Sequence, residues 1–121
     1  MEEFETVVLV TGGRGWSDRE KIREVLTEFD PLTTLIVEGG CRGADDLAKQ
    51  EAEKLGFKVL TVHADWYKYG KAAGVVRNKL MYETTHPNVV LAFHSDLKNS
   101  KGTKHMVEMA KKGGTPVRLT V

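Results

Sequence analysis

The chain has 121 residues and a formal charge of +1, which predicts one domain, residues 1–121, that is large enough to bury a core. This near-neutral balance argues against a broad basic surface for nucleic acid. The single cysteine, Cys41, excludes an internal disulfide and favours a reducing, cytoplasmic location. No signal peptide and no run approaching the ~20 apolar residues of a membrane span is visible.

The first apolar run, residues 7–10, predicts a buried parallel strand. It leads into a turn where Gly12 and Gly13 allow close approach of a ligand and Arg14 adds a forked positive charge. Ser17 to Glu20 fits a capping box, which predicts a helix from Asp18 whose N-terminus suits phosphate. Trp16 and Ser17 complete this candidate site. The same pattern is compatible with a simple tight turn, since it matches neither G-x-G-x-x-G nor a Walker A motif.

The second predicted strand, residues 34–38, is followed by a similar turn that contains Gly39, Gly40, Arg42 and Gly43. A helix with one apolar face follows this turn, and Gly56 suits its C-terminal cap. Asp45 lies in the first turn of that helix, where two roles carry equal weight. It stabilises the helix dipole, or it accepts ribose hydroxyls beside a bound phosphate.

The third predicted strand, residues 58–62, precedes a long loop over residues 63–74 that concentrates aromatic and basic side chains. Trp66 in this loop is suited equally to stacking on a base or to plugging the edge of the core, and Asp65 precedes it. A helix over residues 73–84 is expected to turn Val76, Leu80 and Met81 inward. Arg77 and Asn78, near its start, would then face the same crevice.

The fourth predicted strand, residues 88–93, ends at His94, and Gly102 and Thr103 begin the next helix. Their backbone N–H groups and hydroxyl would face an anion. Residues 115–121 predict a last strand at a sheet edge because of Pro116. The histidines show no metal-ligand spacing, so no metal is predicted, and no other cofactor is indicated.

The alternating order of five strands and four helices predicts an α/β, Rossmann-like three-layer α/β/α sandwich with a five-stranded parallel sheet. In such sheets, ligands bind beyond the carboxyl ends of the strands. Every candidate turn follows a strand, so all of them share that edge. This convergence favours a nucleotide-like ligand over simple turn formation.

The ordered motifs Thr-Gly-Gly-Arg at 11–14, Gly-Gly-x-Arg-Gly-Ala-Asp at 39–45, Ala-Asp-Trp at 64–66, Arg-Asn-x-x-Met at 77–81 and Gly-Thr at 102–103 resemble the YspA-like, YpsA-related branch of the SLOG superfamily. The resemblance implies strand order 3-2-1-4-5 and a homodimer. It also implies nucleotide-derived ligands and a relationship to the Lonely Guy phosphoribohydrolases. The pocket residues that it implies are Gly12, Gly13, Arg14, Gly39, Gly40, Arg42, Gly43, Asp45, Arg77, Asn78, Gly102 and Thr103.

The chain departs from the Lonely Guy pattern at Met106, which stands where those enzymes have their acid/base glutamate. Glu38, Asp45 and Asp65 are possible substitutes, and the sequence does not select among them. The departure favours a module that binds or senses a nucleotide or nucleotide-derived ligand. The alternative is a nucleoside-monophosphate phosphoribohydrolase that cleaves the N-glycosidic bond. Nucleic-acid binding is a third interpretation, which the near-zero charge argues against.

Overall fold

The structure is a computed structural model that describes residues 3–121. Five parallel strands form one sheet in the order β3-β2-β1-β4-β5, which confirms the predicted class and strand order. β5 lies at one edge, as Pro116 predicts. The strands are β1 (Thr6–Gly12), β2 (Thr34–Glu38), β3 (Lys58–Thr61), β4 (Val89–Phe93) and β5 (Val117–Thr120).

Helices cover both faces of this sheet and connect successive strands. Short 3-10 turns span Gly70–Ala72 and Leu97–Asn99. The helices are α1 (Arg19–Leu26), α2 (Ala44–Lys54), α3 (Trp66–Tyr69), α4 (Ala73–Thr85) and α5 (Gly102–Lys112).

The central strand β1 explains why there are two cores. Successive side chains of a strand point to opposite faces, so Val8 and Val10 enter the core beneath α1 and α2. Leu9 enters the second core, which it shares with Met81 of α4 and Met106 of α5. All five side chains are at most 2% exposed. Burying each contributes about 1.5–3 kcal/mol, so β1 is held from both sides.

The start of α1 differs from the predicted capping box. The cap is Asp18, whose Oδ1 accepts a hydrogen bond from the Lys21 N–H at 3.2 Å, and the helix begins one residue later, at Arg19. Ser17 instead accepts the Arg19 N–H with its backbone carbonyl at 3.0 Å. The side chain of Ser17 therefore does not provide the predicted cap.

The segment between β3 and α4 is more ordered than the predicted loop. Asp65 caps the short helix α3 by accepting the Lys68 N–H at 2.9 Å. In α4 the inward prediction holds for Met81 and is wrong for Leu80, which is 54% exposed. The polar pair Arg77 and Asn78 occupies buried inward positions instead, because both side chains have hydrogen-bond partners there.

Candidate ligand-binding site

A cavity of about 520 Å³ lies at the carboxyl ends of the central strands. It is bounded by the turns after β1, β2 and β4 and by the first residues of α3, α4 and α5. The predicted site residues that line it are Gly12, Gly13, Arg14, Asp45, Trp66, Arg77, Asn78, Gly102 and Thr103. The structure thus brings three separate turns to one cavity, as the alternation of strands and helices predicts.

The other predicted site residues lie around this cavity rather than in it. Trp16 and Ser17 line an adjacent cavity of about 440 Å³. Gly40 and Arg42 line a third cavity of about 300 Å³ on the β3 side. Gly39, Gly43 and Asp65 line none of these three cavities.

Two of the turn glycines are required by packing within the protein. A Cβ on Gly43, whose φ is 79°, would strike the backbone carbonyls of Gly13 and Arg14. A Cβ on Gly12 would overlap Ala44 and the Phe93 carbonyl. The first turn therefore packs directly against the start of α2, and these glycines do not by themselves indicate a ligand.

Three backbone N–H groups of the second turn are bonded to protein acceptors, which differs from the free donors expected of a glycine-rich turn before a helix. Asp45 Oδ2 accepts the N–H groups of Gly39 at 3.2 Å and Cys41 at 3.3 Å. Glu38 Oε1 accepts the N–H of Gly40 at 2.7 Å. Carboxylates of the protein thus occupy the positions expected for a phosphate, so an external anion needs other donors.

Arg77 has its guanidinium committed to the protein and is only 9% exposed. Its Nε donates to Asn78 Oδ1 at 2.9 Å, Nη1 donates to the Gly39 carbonyl, and Nη2 lies 3.8 Å from Cys41 Sγ. These contacts clamp α4 to the second turn. They indicate a positioning role in place of the direct ligand contact that the resemblance implies.

Asn78 extends this clamp to α5. Its Nδ2 donates to the Gly102 carbonyl at 3.2 Å and lies 3.3 Å from His105 Nδ1. Since the Arg77 Nε is a donor, Asn78 must turn its oxygen toward Arg77 and its amide nitrogen toward α5. The pair fixes where α5 begins relative to the second turn.

Asp45 is a buried carboxyl that lines the cavity and is 5% exposed. The pKa of this carboxyl is raised from 3.8 to about 7, chiefly by burial and to a lesser extent by the charge of the nearby Glu38. The Cys41 N–H and the charge of Arg77 act in the opposite direction. Asp45 therefore exchanges a proton near neutral pH, a property that the sequence alone does not reveal.

Three cationic side chains line the cavity without a partner of their own: Arg14, Lys71 and Lys101. None of them takes part in an ion pair or a side-chain hydrogen bond with residues 3–121. The Arg14 guanidinium lies 5.9 Å from the ring centre of Trp66. Lys71 belongs to the loop whose basic side chains were expected to reach phosphate. Lys101 was not predicted, and its only signal in the sequence is a basic residue beside the turn that precedes α5.

The start of α5 adds a helix N-terminus to the same cavity. The Thr103 N–H donates to Ser100 Oγ at 3.2 Å, whereas the N–H groups of Gly102 and Lys104 have no acceptor among the described residues. Met106 is fully buried in the core and does not reach the cavity. His94, at the end of β4, also lines the cavity, and its Nδ1 accepts the Asp96 N–H at 2.9 Å.

Two classes of feature are missing from the described part of the chain. No group of His, Cys, Asp and Glu side chains there could hold a metal ion. No helix within residues 3–121 is long and apolar enough to cross a bilayer.

Sequence comparisons identify the family. The model of the YspA, cpYpsA-related SLOG family matches residues 6–69. The chain belongs to this family. This SLOG domain is also 42% identical over 118 residues to the Gene 61 protein of Mycobacterium phage D29, covering 91% of the chain and 92% of that relative. The resemblance drawn from the motifs is confirmed.

A solved structure has the same fold as this SLOG domain. DNA processing protein A (DprA) from Streptococcus pneumoniae superposes with a TM-score of 0.75 and 20% sequence identity. The match covers 96% of this chain and 50% of the DprA chain, so the SLOG domain spans about half of that protein. At this identity the likeness shows the fold alone.

Proposed function

We propose that this SLOG domain binds a nucleotide or nucleotide-derived ligand in the central cavity and acts as a binding module. The observation that carries the proposal is that Arg14, Lys71 and Lys101 converge on one cavity and that none of them forms an ion pair within residues 3–121. Its volume lies within the usual range of small-molecule sites, about 300–1,000 Å³. Three unpaired cations around a concave site attract an anion.

The phosphate of such a ligand is expected at the α5 side of the cavity. Lys101 and the free N–H group of Gly102 lie there, and a helix N-terminus favours negative charge. Three N–H groups of the second turn are not available to the phosphate, because the Asp45 and Glu38 carboxylates already accept them.

The ring of the ligand is expected beside Trp66. This side chain is 50% exposed, and its ring lies at the cavity next to Arg14. Stacking of a base on an aromatic ring contributes about 1–3 kcal/mol. Between the two roles predicted for Trp66, its exposure favours stacking over plugging the core.

Hydrolysis of an N-glycosidic bond is the second candidate, and Asp45 is the observation that favours it. A buried carboxyl with a pKa of about 7 can give a proton to a leaving base or take one from the attacking water. The burial of Met106 in the core argues for binding without turnover, because it leaves no carboxylate at the start of α5. Asp45 is also the best placed of the three substitutes, since Glu38 and Asp65 do not line the cavity.

The test is a thermal-shift and calorimetric panel of nucleoside monophosphates against the matching nucleosides. We expect the monophosphates to bind. Lys101→Gln should lower their affinity about tenfold, which is the usual effect of losing a charged hydrogen bond. Lys104→Gln is the matched control, because Lys104 is on the same helix turn and its side chain faces Glu108. Equal binding of nucleosides and monophosphates would contradict the proposal.

Product analysis in the same samples separates the candidates. Ligand recovered intact supports binding, and free base whose release is abolished by Asp45→Asn supports hydrolysis. Steeply salt-dependent binding of a single-stranded oligonucleotide, with no binding of monophosphates, would favour the third interpretation. The homodimer and the cytoplasmic location remain predictions.

A further inference from the structure

Asp45 has one carboxyl oxygen that its own fold does not use. Oδ2 accepts the N–H groups of Gly39 and Cys41, whereas Oδ1 has no hydrogen-bond partner among residues 3–121. The side chain is 5% exposed, and the face that remains open lines the central cavity. Stabilisation of the second turn therefore explains the role of Oδ2 and leaves Oδ1 without an assigned role.

This oxygen is open to the cavity, since no fully buried side-chain nitrogen or oxygen of the described residues lacks a hydrogen-bond partner. A ligand that displaces water from it must supply a donor, because an acceptor that a ligand buries without a donor costs about 1–3 kcal/mol. The guanidinium of Arg77 bonds to Gly39, Asn78 and Cys41 and makes no hydrogen bond to this oxygen. The donor must come from the cavity.

We propose that Asp45 Oδ1 accepts a hydrogen bond from a neutral donor of the bound nucleotide, a ribose hydroxyl or an amino group of the base. This inference rests on the proposed function and names the chemistry of the ligand at that site. A phosphate is disfavoured at this position when the carboxyl is ionised, since like charges repel. Asp45 thus orients the ligand, with its phosphate toward Lys101 and its donor toward the second turn.

Asp45→Asn replaces the acceptor that faces the cavity with a donor and keeps the shape of the side chain. The amide oxygen of the new side chain can still accept the N–H groups of Gly39 and Cys41, so its NH₂ group must face the cavity. An acceptor becomes a donor, and a ligand donor then meets no acceptor. Asp46→Asn is the matched control, because Asp46 is the next residue on the same helix turn and bonds to Gln50 outside the central cavity.

Four probes distinguish the possible donors: AMP, IMP, and the 2′-deoxy and 3′-deoxy analogues of AMP. If a ribose hydroxyl is the donor, the wild type binds AMP about tenfold more tightly than the analogue that lacks this hydroxyl. If the base amine is the donor, AMP exceeds IMP by a similar factor. In either case Asp45→Asn removes the preference and Asp46→Asn retains it, with circular dichroism and thermal melting confirming that both variants fold.

The outcomes are separable from those of the proposed function. Wild-type protein that binds AMP yet shows neither preference overturns the role of Asp45 and leaves nucleotide binding intact. A preference that survives in folded Asp45→Asn protein overturns it too. Failure of the wild type to bind any of the four probes and the monophosphate panel overturns the proposed function itself.

Discussion

Replacing Arg77 with methionine tests whether this arginine is a clamp or a ligand contact. Methionine has a similar length and no donors, so Arg77→Met leaves the Gly39 carbonyl and Asn78 Oδ1 without their present partners. Each loss costs about 1.5–3 kcal/mol for a charged hydrogen bond, partly offset because the buried charge disappears as well. We expect a net destabilisation of about 2–4 kcal/mol.

The assay is urea unfolding followed by circular dichroism, with ligand binding measured on the folded protein. A loss of this size is a large share of the 5–15 kcal/mol typical of a domain. It would lower the melting temperature by about 10 °C. Loss of the positive neighbour also raises the pKa of Asp45 further. Unchanged stability together with abolished AMP binding would refute the clamp and restore Arg77 as a direct ligand residue.

Three further predictions concern the turns and the buried charges. Gly43→Ala should lower the melting temperature far more than Gly114→Ala. Both glycines have φ near 78–79°, so the backbone strain is similar, but only at position 43 would the added Cβ strike neighbouring carbonyls. Equal losses in the two variants would refute the packing argument. The carboxylate of Glu51 forms ion pairs with Arg19, Arg23 and Lys54, and these bonds lower its pKa from 4.5 to about 2. Its contribution to the free energy of unfolding is therefore present above pH 4.5 and is lost as the pH falls toward 2. Since solvent screens the half-exposed partners of Glu51, the free energy of unfolding measured with urea should fall by about 1–2 kcal/mol over that pH interval in the wild type. It should fall much less in Glu51→Gln. The effect of Asp45 on stability has the opposite dependence on pH. Because its pKa is raised to about 7 in the folded state, the folded protein binds this proton more tightly than the unfolded chain, and stability falls as the pH rises from about 4 to 7. Asp45→Asn should remove this pH dependence.

The sheet could be predicted from sequence because its signals are local. The apolar runs of β1 and β2, each followed by glycines, specify strands and turns at nearly the observed residues. Parallel connection then brings every turn to one edge, whatever the details of packing. The strand order came from the family resemblance, which the structure confirms.

The inward face of α4 was harder to predict, because apolar residues occur around most of its circumference. Periodicity placed Leu80 inside, whereas the structure buries Arg77 and Asn78. Hydrogen bonds to the second turn and to α5 decide this orientation. Such partners are distant in sequence, and no local pattern reveals them.

The same limit applies to the donors of the candidate site. A glycine-rich turn before a helix predicts free N–H groups, and only the folded chain shows that Asp45 and Glu38 already accept three of those in the second turn. The cationic character of the site was predictable from Arg14. The contribution of Lys101 depends on where α5 begins, which is set by Asn78.

The most direct test of the central claim is calorimetric titration of the wild-type protein with AMP and with adenosine at low and moderate salt. The account predicts that AMP binds at least about tenfold more tightly, that added salt narrows the difference, and that Arg14→Gln combined with Lys101→Gln abolishes it. Equal affinities for AMP and adenosine, or an AMP preference that survives the double substitution, would contradict the claim that unpaired cations at this cavity hold a phosphate.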